Sequence, residues 1–136
     1  MELKEDVWER VMDFATLLVN EDKVERYWMH YNALKDYCEA QSLGGYDHPF
    51  LWESLGDFTT SDAAAIPLYL HALEVATEDE AREYRASIRY ALAERYRSLG
   101  QEDLALEYAI AADDEARSLS DLELRREISK FLLSQK

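Results

Sequence analysis

Cysteine, proline and glycine are scarce in this chain, and one long stretch has no lysine or arginine at all. The lone Cys38 has no partner for an internal disulfide, so nothing points to an oxidising compartment. Two prolines and four glycines in 136 residues are too few for a loop-rich or all-β architecture. No apolar run nears the roughly 20 residues that cross a bilayer. The opening MELKEDVWER is charged from the start and lacks the hydrophobic segment of a secretion signal. These absences predict a soluble, cytoplasmic, all-α protein, one domain over residues 1–136. A chain of that length buries about two-thirds of its unfolded surface, and three Trp, nine Tyr and four Phe supply a core.

The formal net charge of −14 is unevenly spread. Residues 1–45 carry ten acids and five bases, and residues 81–136 carry eleven acids and ten bases. Residues 46–80 carry eight acids (Asp47, Glu53, Asp57, Asp62, Glu74, Glu78, Asp79, Glu80) and no Lys or Arg. Such a field repels nucleic acid and anionic lipid and attracts a basic partner. General acidity also serves solubility, which explains the total better than the clustering.

Apolar spacing predicts about seven helices, arranged as three antiparallel hairpins and a closing helix. The first runs from about Leu3 to Val19, with Val7, Val11, Phe14, Ala15 and Leu18 on its face and Trp8 and Met12 widening it. The second reaches about Ala40 through Val24, Tyr27, Trp28, Tyr31, Leu34 and Cys38. After the loop SLGGY, Asp47 or His48 caps a third helix, with Pro49 in its first turn. Pro67 requires that the fourth helix either begins near Ala64 or kinks. Thr77 with Glu80, and Ser120 with Glu123, are capping-box patterns for the fifth and seventh helices. Gly100 separates the fifth from the sixth, which spans about Glu102 to Arg117.

The stretch Arg89–Ala112 organises the rest. Leu92, Tyr96, Ala105 and Ala112 fall at offsets of the tetratricopeptide pattern, while Arg89 and Ala109 stand at its aromatic positions and its closing proline is missing. An earlier hairpin offers Trp52, Leu55 and Gly56, then Ala65, Tyr69 and Ala72, with a turn about three residues shorter. The first hairpin has large residues at the small positions. The chain thus resembles a divergent tetratricopeptide-repeat protein, with a degenerate hairpin at 1–41, a shortened repeat at 47–77, the best repeat at 78–118 and a closing helix at 120–134. A plain helical bundle with alanine seams is the alternative. The resemblance implies a right-handed superhelix that binds protein or peptide in a concave groove lined by the first helix of each pair.

That groove would present Phe50, Glu53, Asp57 and Thr60 around Leu55, and Ser87, Tyr90, Glu94 and Arg97 around Leu92. Family members that clamp a peptide carboxylate carry basic and amide groups there, so Glu53, Asp57, Tyr90 and Glu94 argue against that use. An acidic, aromatic surface suits a basic partner. Asp47, Asp62 and Glu74 extend it, and a merely solvated face is the plain alternative for each residue. His30, His48 and His71 lie on separate helices without metal-ligand spacing, and Asp113–Glu115 lack a calcium-loop glycine. No phosphate loop or nucleophile elbow is present, so no catalytic residue, metal or cofactor is expected. Arg82, Arg85, Arg89 and Arg95 or Arg97 form a ridge read as intrahelical pairs with Glu78, Asp79, Glu83 and Glu94. The reading is a non-enzymatic interaction protein with an acidic face, most concretely an immunity or antitoxin-like protein against a basic toxin. A peptide-binding adaptor is the second reading.

Overall fold

In the computed structural model, which describes residues 1–134, α-helices follow one another with no strand among the described residues. They are α1 (Glu5–Val19), α2 (Val24–Leu43), α3 (Pro49–Asp57), α4 (Asp62–Val75), α5 (Arg82–Ser98), α6 (Glu102–Ala116) and α7 (Leu122–Leu133). Residues 135–136 lie outside the described part. Each helix packs on its neighbours in sequence, and α3 also touches α5.

Local chemistry sets the ends. His48 Nδ1 accepts the Phe50 amide at 3.0 Å, and Pro49 occupies the first helical position, where no amide is needed. Gly45 (φ 95°) and Gly100 (φ 77°) end α2 and α5 in the left-handed region. In each case the following amide turns back to a helix carbonyl, Tyr46 to Gln41 and Gln101 to Tyr96.

Three expectations are corrected, and one of the two alternatives for Pro67, a helix start near Ala64, falls away. Thr77 caps nothing: a 3₁₀ turn, Asp79–Ala81, precedes α5 and makes no side-chain cap bond. At α7 the cap is Asp121 rather than Ser120, its carboxylate accepting the Leu124 amide at 3.0 Å. Helix α4 starts at Asp62 under a Ser61 cap, so Pro67 lies inside it, and the proline nitrogen leaves the Ala63 carbonyl without its helical donor. Trp8 is 46% exposed and Met12 39%, so they do not widen the buried face of α1; Val24 and Trp28 are likewise exposed on α2.

The core changes character along the chain. Val7, Val11, Phe14, Leu18, Leu34, Cys38, Leu51 and Leu55 fill the N-terminal part. The α5–α6–α7 part closes on alanines, Ala86, Ala93, Ala105, Ala109, Ala112 and Ala116, with Ile128 and Phe131. Burial pushes the Cys38 thiol up to about 12, which makes it an inert core group that donates weakly to the Leu51 carbonyl.

Candidate functional site

Helices α1, α3, α5 and α7 present one side each to a cavity of about 440 Å³. Its wall is formed by Leu3, Trp8, Phe50, Glu53, Ser54, Asp57, Glu83, Tyr84, Ser87, Asp121 and Leu124. Four of these are acids and three are aromatic, and none is Lys, Arg or His. Glu53 and Asp57 are four residues apart on α3, hence on one face and about 6 Å apart along the axis.

Glu53 lies deepest. Its Oε2 accepts the Ser87 hydroxyl at 2.5 Å. Burial pushes its carboxyl up to about 7, the Ser87 bond opposes that shift, and Asp57 adds to it. Asp57 keeps contact with solvent, yet the protein crowding it raises its carboxyl as well, against the pull of Tyr69 and Arg95. The Tyr69 hydroxyl donates to Asp57 at 2.6 Å. That bond depends on Gly56: a Cβ there would stand 2.8 Å from the Tyr69 ring, so α3 and α4 approach this closely only because residue 56 has no side chain. Arg95 is already engaged, bonded to Asp62 at 3.1 Å and to the Gly56 carbonyl at 3.0 Å.

The residues singled out from sequence divide into four groups. Glu53 and Asp57 are brought together in the cavity, with Ser87 and Phe50 beside them as expected. Tyr90 and Glu94 lie on the half of α5 that α7 covers. The Tyr90 ring meets Phe131 edge-on at 5.8 Å, and the Arg97 guanidinium lies 3.4 Å from the centre of the Phe131 ring. Burial, then the Glu94 charge, pushes the Tyr90 hydroxyl up to about 12. Glu94 is raised by burial and by Glu127 of α7. Thr60 belongs to a different surface, beside Tyr27 and Trp28.

Asp47, Asp62 and Glu74 lie outside the cavity. Asp47 accepts from Trp52 Nε1 and sits 2.9 Å from His71 Nε2, which ties α4 back to the start of α3. Asp62 serves Arg95, and Glu74 is exposed on α4.

The arginine ridge is corrected too. Its partners lie across helices rather than along α5: Arg85 and Arg89 each reach Glu115 of α6 at 2.9 Å, and Arg82 reaches it at 3.5 Å. Burial works against the Glu115 charge, but the Arg85 and Arg89 bonds outweigh it and hold the carboxyl below its ordinary range.

Sequence reasoning missed Trp8, Glu83, Tyr84 and Asp121. Tyr84 precedes Ser87 by one turn, so the same helical spacing extended toward the N-terminus of α5 finds it. Trp8 and Asp121 carry no such signal, because α1 and α7 reach the cavity only through the fold. No group of His, Cys, Asp and Glu among the described residues is arranged to hold a metal ion. No protein-family model matches this chain, and neither a curated protein nor a solved structure matches it.

Proposed function

We propose that this protein acts by binding, through an acidic concave face, a basic surface or segment of another protein. One observation carries the reading: the cavity wall holds Glu53, Asp57, Glu83 and Asp121 beside Trp8, Phe50 and Tyr84, with no cationic side chain. Carboxylates set among exposed rings bind arginine and lysine by charge pairing and stacking together. The same field disfavours nucleic acid and anionic lipid, and no helix among the described residues is long and apolar enough to cross a membrane.

The most concrete form is an immunity or antitoxin-like protein of the cytoplasm that occludes a basic toxin domain. A net charge of −14 would accelerate its capture by steering. The alternative, a tetratricopeptide-type adaptor that takes a peptide, is favoured by the position of the cavity: its wall draws on α3 and α5, the first helices of their pairs, and on α1 and α7. The small-residue seam of Ala105, Ala109 and Ala112 supports the same repeat reading.

The test is co-expression with the product of the neighbouring reading frame, followed by association kinetics from low to high salt. The expected result is a complex whose association rate falls about tenfold or more as salt rises toward about 0.5 M. A rate indifferent to salt, or no complex with any basic partner, overturns the reading.

A further inference from the structure

We propose that the cavity is a socket for an extended arginine-x-arginine segment of another protein, one guanidinium taken by Glu53 and the other by Asp57, with Trp8, Phe50 and Tyr84 as stacking walls. This deepens the reading above and rests on it.

Spacing is the first argument. Four residues along a helix advance about 6 Å, and two residues along an extended chain advance about 6.6 Å. Side chains two apart on an extended chain also point the same way. Arginines in an x-separated pair therefore meet Glu53 and Asp57 together. Adjacent arginines point to opposite sides, and a pair three apart overshoots by roughly 4 Å.

Open acceptor positions are the second. Glu53 is half-buried, and only its Oε2 is engaged, by Ser87. No buried side-chain polar atom among the described residues lacks a partner, so the remaining Glu53 oxygen is open to the cavity. Asp57 uses Oδ1 for Tyr69 and has its second oxygen to offer. A carboxylate accepts several donors, so a guanidinium fork adds to these bonds without displacing them.

The walls choose arginine over lysine. A guanidinium is planar and weakly hydrated and stacks on rings, whereas an ammonium is compact and strongly hydrated. The chain uses this arrangement within itself: Arg97 lies 3.4 Å from the Phe131 ring centre, and Arg95 lies 5.9 Å from that of Tyr69 while bonded to Asp62. No base lines the cavity; Arg95, the cation whose charge reaches Asp57, is bonded to Asp62 and to the Gly56 carbonyl.

Capture also moves a proton. Asp57 on the same helix, Glu83 and Tyr84 on α5 and Asp121 at the cap of α7 line the cavity with Glu53, and no Lys, Arg or His lines it to favour the charge. With its carboxyl near 7, Glu53 is partly protonated at neutral pH. A bound guanidinium draws it into the ionised form, so binding releases a proton and tightens as pH rises through about 7.

Isothermal titration calorimetry with short synthetic Gly/Ser peptides tests this. The peptides carry Arg-Ser-Arg, Arg-Arg, Arg-Ser-Ser-Arg or Lys-Ser-Lys, and buffers of different ionisation heat count the proton. Arg-Ser-Arg is expected to bind about tenfold tighter than the other arginine spacings, and tighter than the lysine peptide. Glu53→Gln and Asp57→Asn should each lose about tenfold, whereas Glu74→Gln should bind as the parent does. Circular dichroism checks the fold of each variant, and the spacing series on the unaltered protein stands if a variant unfolds. Equal affinity for all spacings, unchanged binding by a folded Glu53→Gln, or spermine binding as tightly as Arg-Ser-Arg overturns the proposal. If a basic protein partner still binds in a salt-dependent way while the peptides show no preference, this inference fails and the broader reading stands. If neither binds, both fail.

Discussion

Between α1 and α2 the seam is filled by Val7, Val11, Phe14, Leu18 and Leu34, whereas between α5 and α6 it is Ala93, Ala105, Ala109 and Ala112. Large side chains hold a helix pair apart and gain stability from the area they bury. Alanines let the backbones approach, gain less per residue, and leave charged groups to join the helices at the rim. That is where Arg82, Arg85 and Arg89 gather on Glu115. In the wider half, tyrosine hydroxyls do the joining: Tyr27 donates to the Phe58 carbonyl, and Tyr31 shares a bond with Thr59. The first half is therefore vulnerable to losing volume and the second to gaining it. The cavity opens where the two meet.

Leu55→Ala should break the first half hardest. Leu55 is 0% exposed in the large-residue cluster, and a loss of about 3–4 kcal/mol is expected in urea denaturation. Ala109→Leu is the opposite probe, since Ala109 is also 0% exposed. Overpacking the tight seam should cost about 2 kcal/mol, and an unchanged urea midpoint would deny that the seam is tight.

A pair of glutamates sharpens the contrast through pH. Glu53 is raised from an ordinary value of 4.5 to about 7, so its contribution is complete below about pH 4.5 and is lost as pH climbs through about 7. Glu53→Gln should therefore be more stable than the parent at pH 8, by about 1–2 kcal/mol, and should lack that slope. Glu115 is lowered, so its contribution is present above about 4.5 and is lost as pH falls through its folded value. Glu115→Gln should be the less stable protein at pH 7 and indistinguishable from the parent in strong acid. Thermal denaturation across pH reads both signs.

Trp8→Ala should do least to stability. The ring is 46% exposed at the cavity, and a change within about 0.5 kcal/mol is expected. A larger loss of thermal stability would make Trp8 a core residue rather than part of a binding wall.

Seven helices were legible because 3.6-residue spacing leaves its mark in any amphipathic segment, and the alanines of α6 announced a close seam. Local spacing does not show which charge answers which. Asp62 meets Arg95 from 33 residues away and Asp47 meets His71 from 24, so the base-free acidic stretch looked freer than it is. The arginines of α5 were assigned to neighbours on their own helix for the same reason. At Trp8, apolar character alone gave no sign of which side faces the cavity. Glu53 and Asp57 were legible as a pair since both are local to α3, whereas Tyr90 packs on Phe131 of α7 and the exposed Glu94 stands outside the cavity, which local spacing does not show.

The contact between Gly56 and Tyr69 constrains how this sequence could drift over evolutionary time. A side chain at 56 displaces the ring that holds Asp57, so the three positions change together or hardly at all. Glycine followed at once by aspartate, then tyrosine after eleven intervening residues, is thus one unit: the missing side chain, the ring that fills its place and the carboxylate the ring holds stand or fall together at the cavity wall.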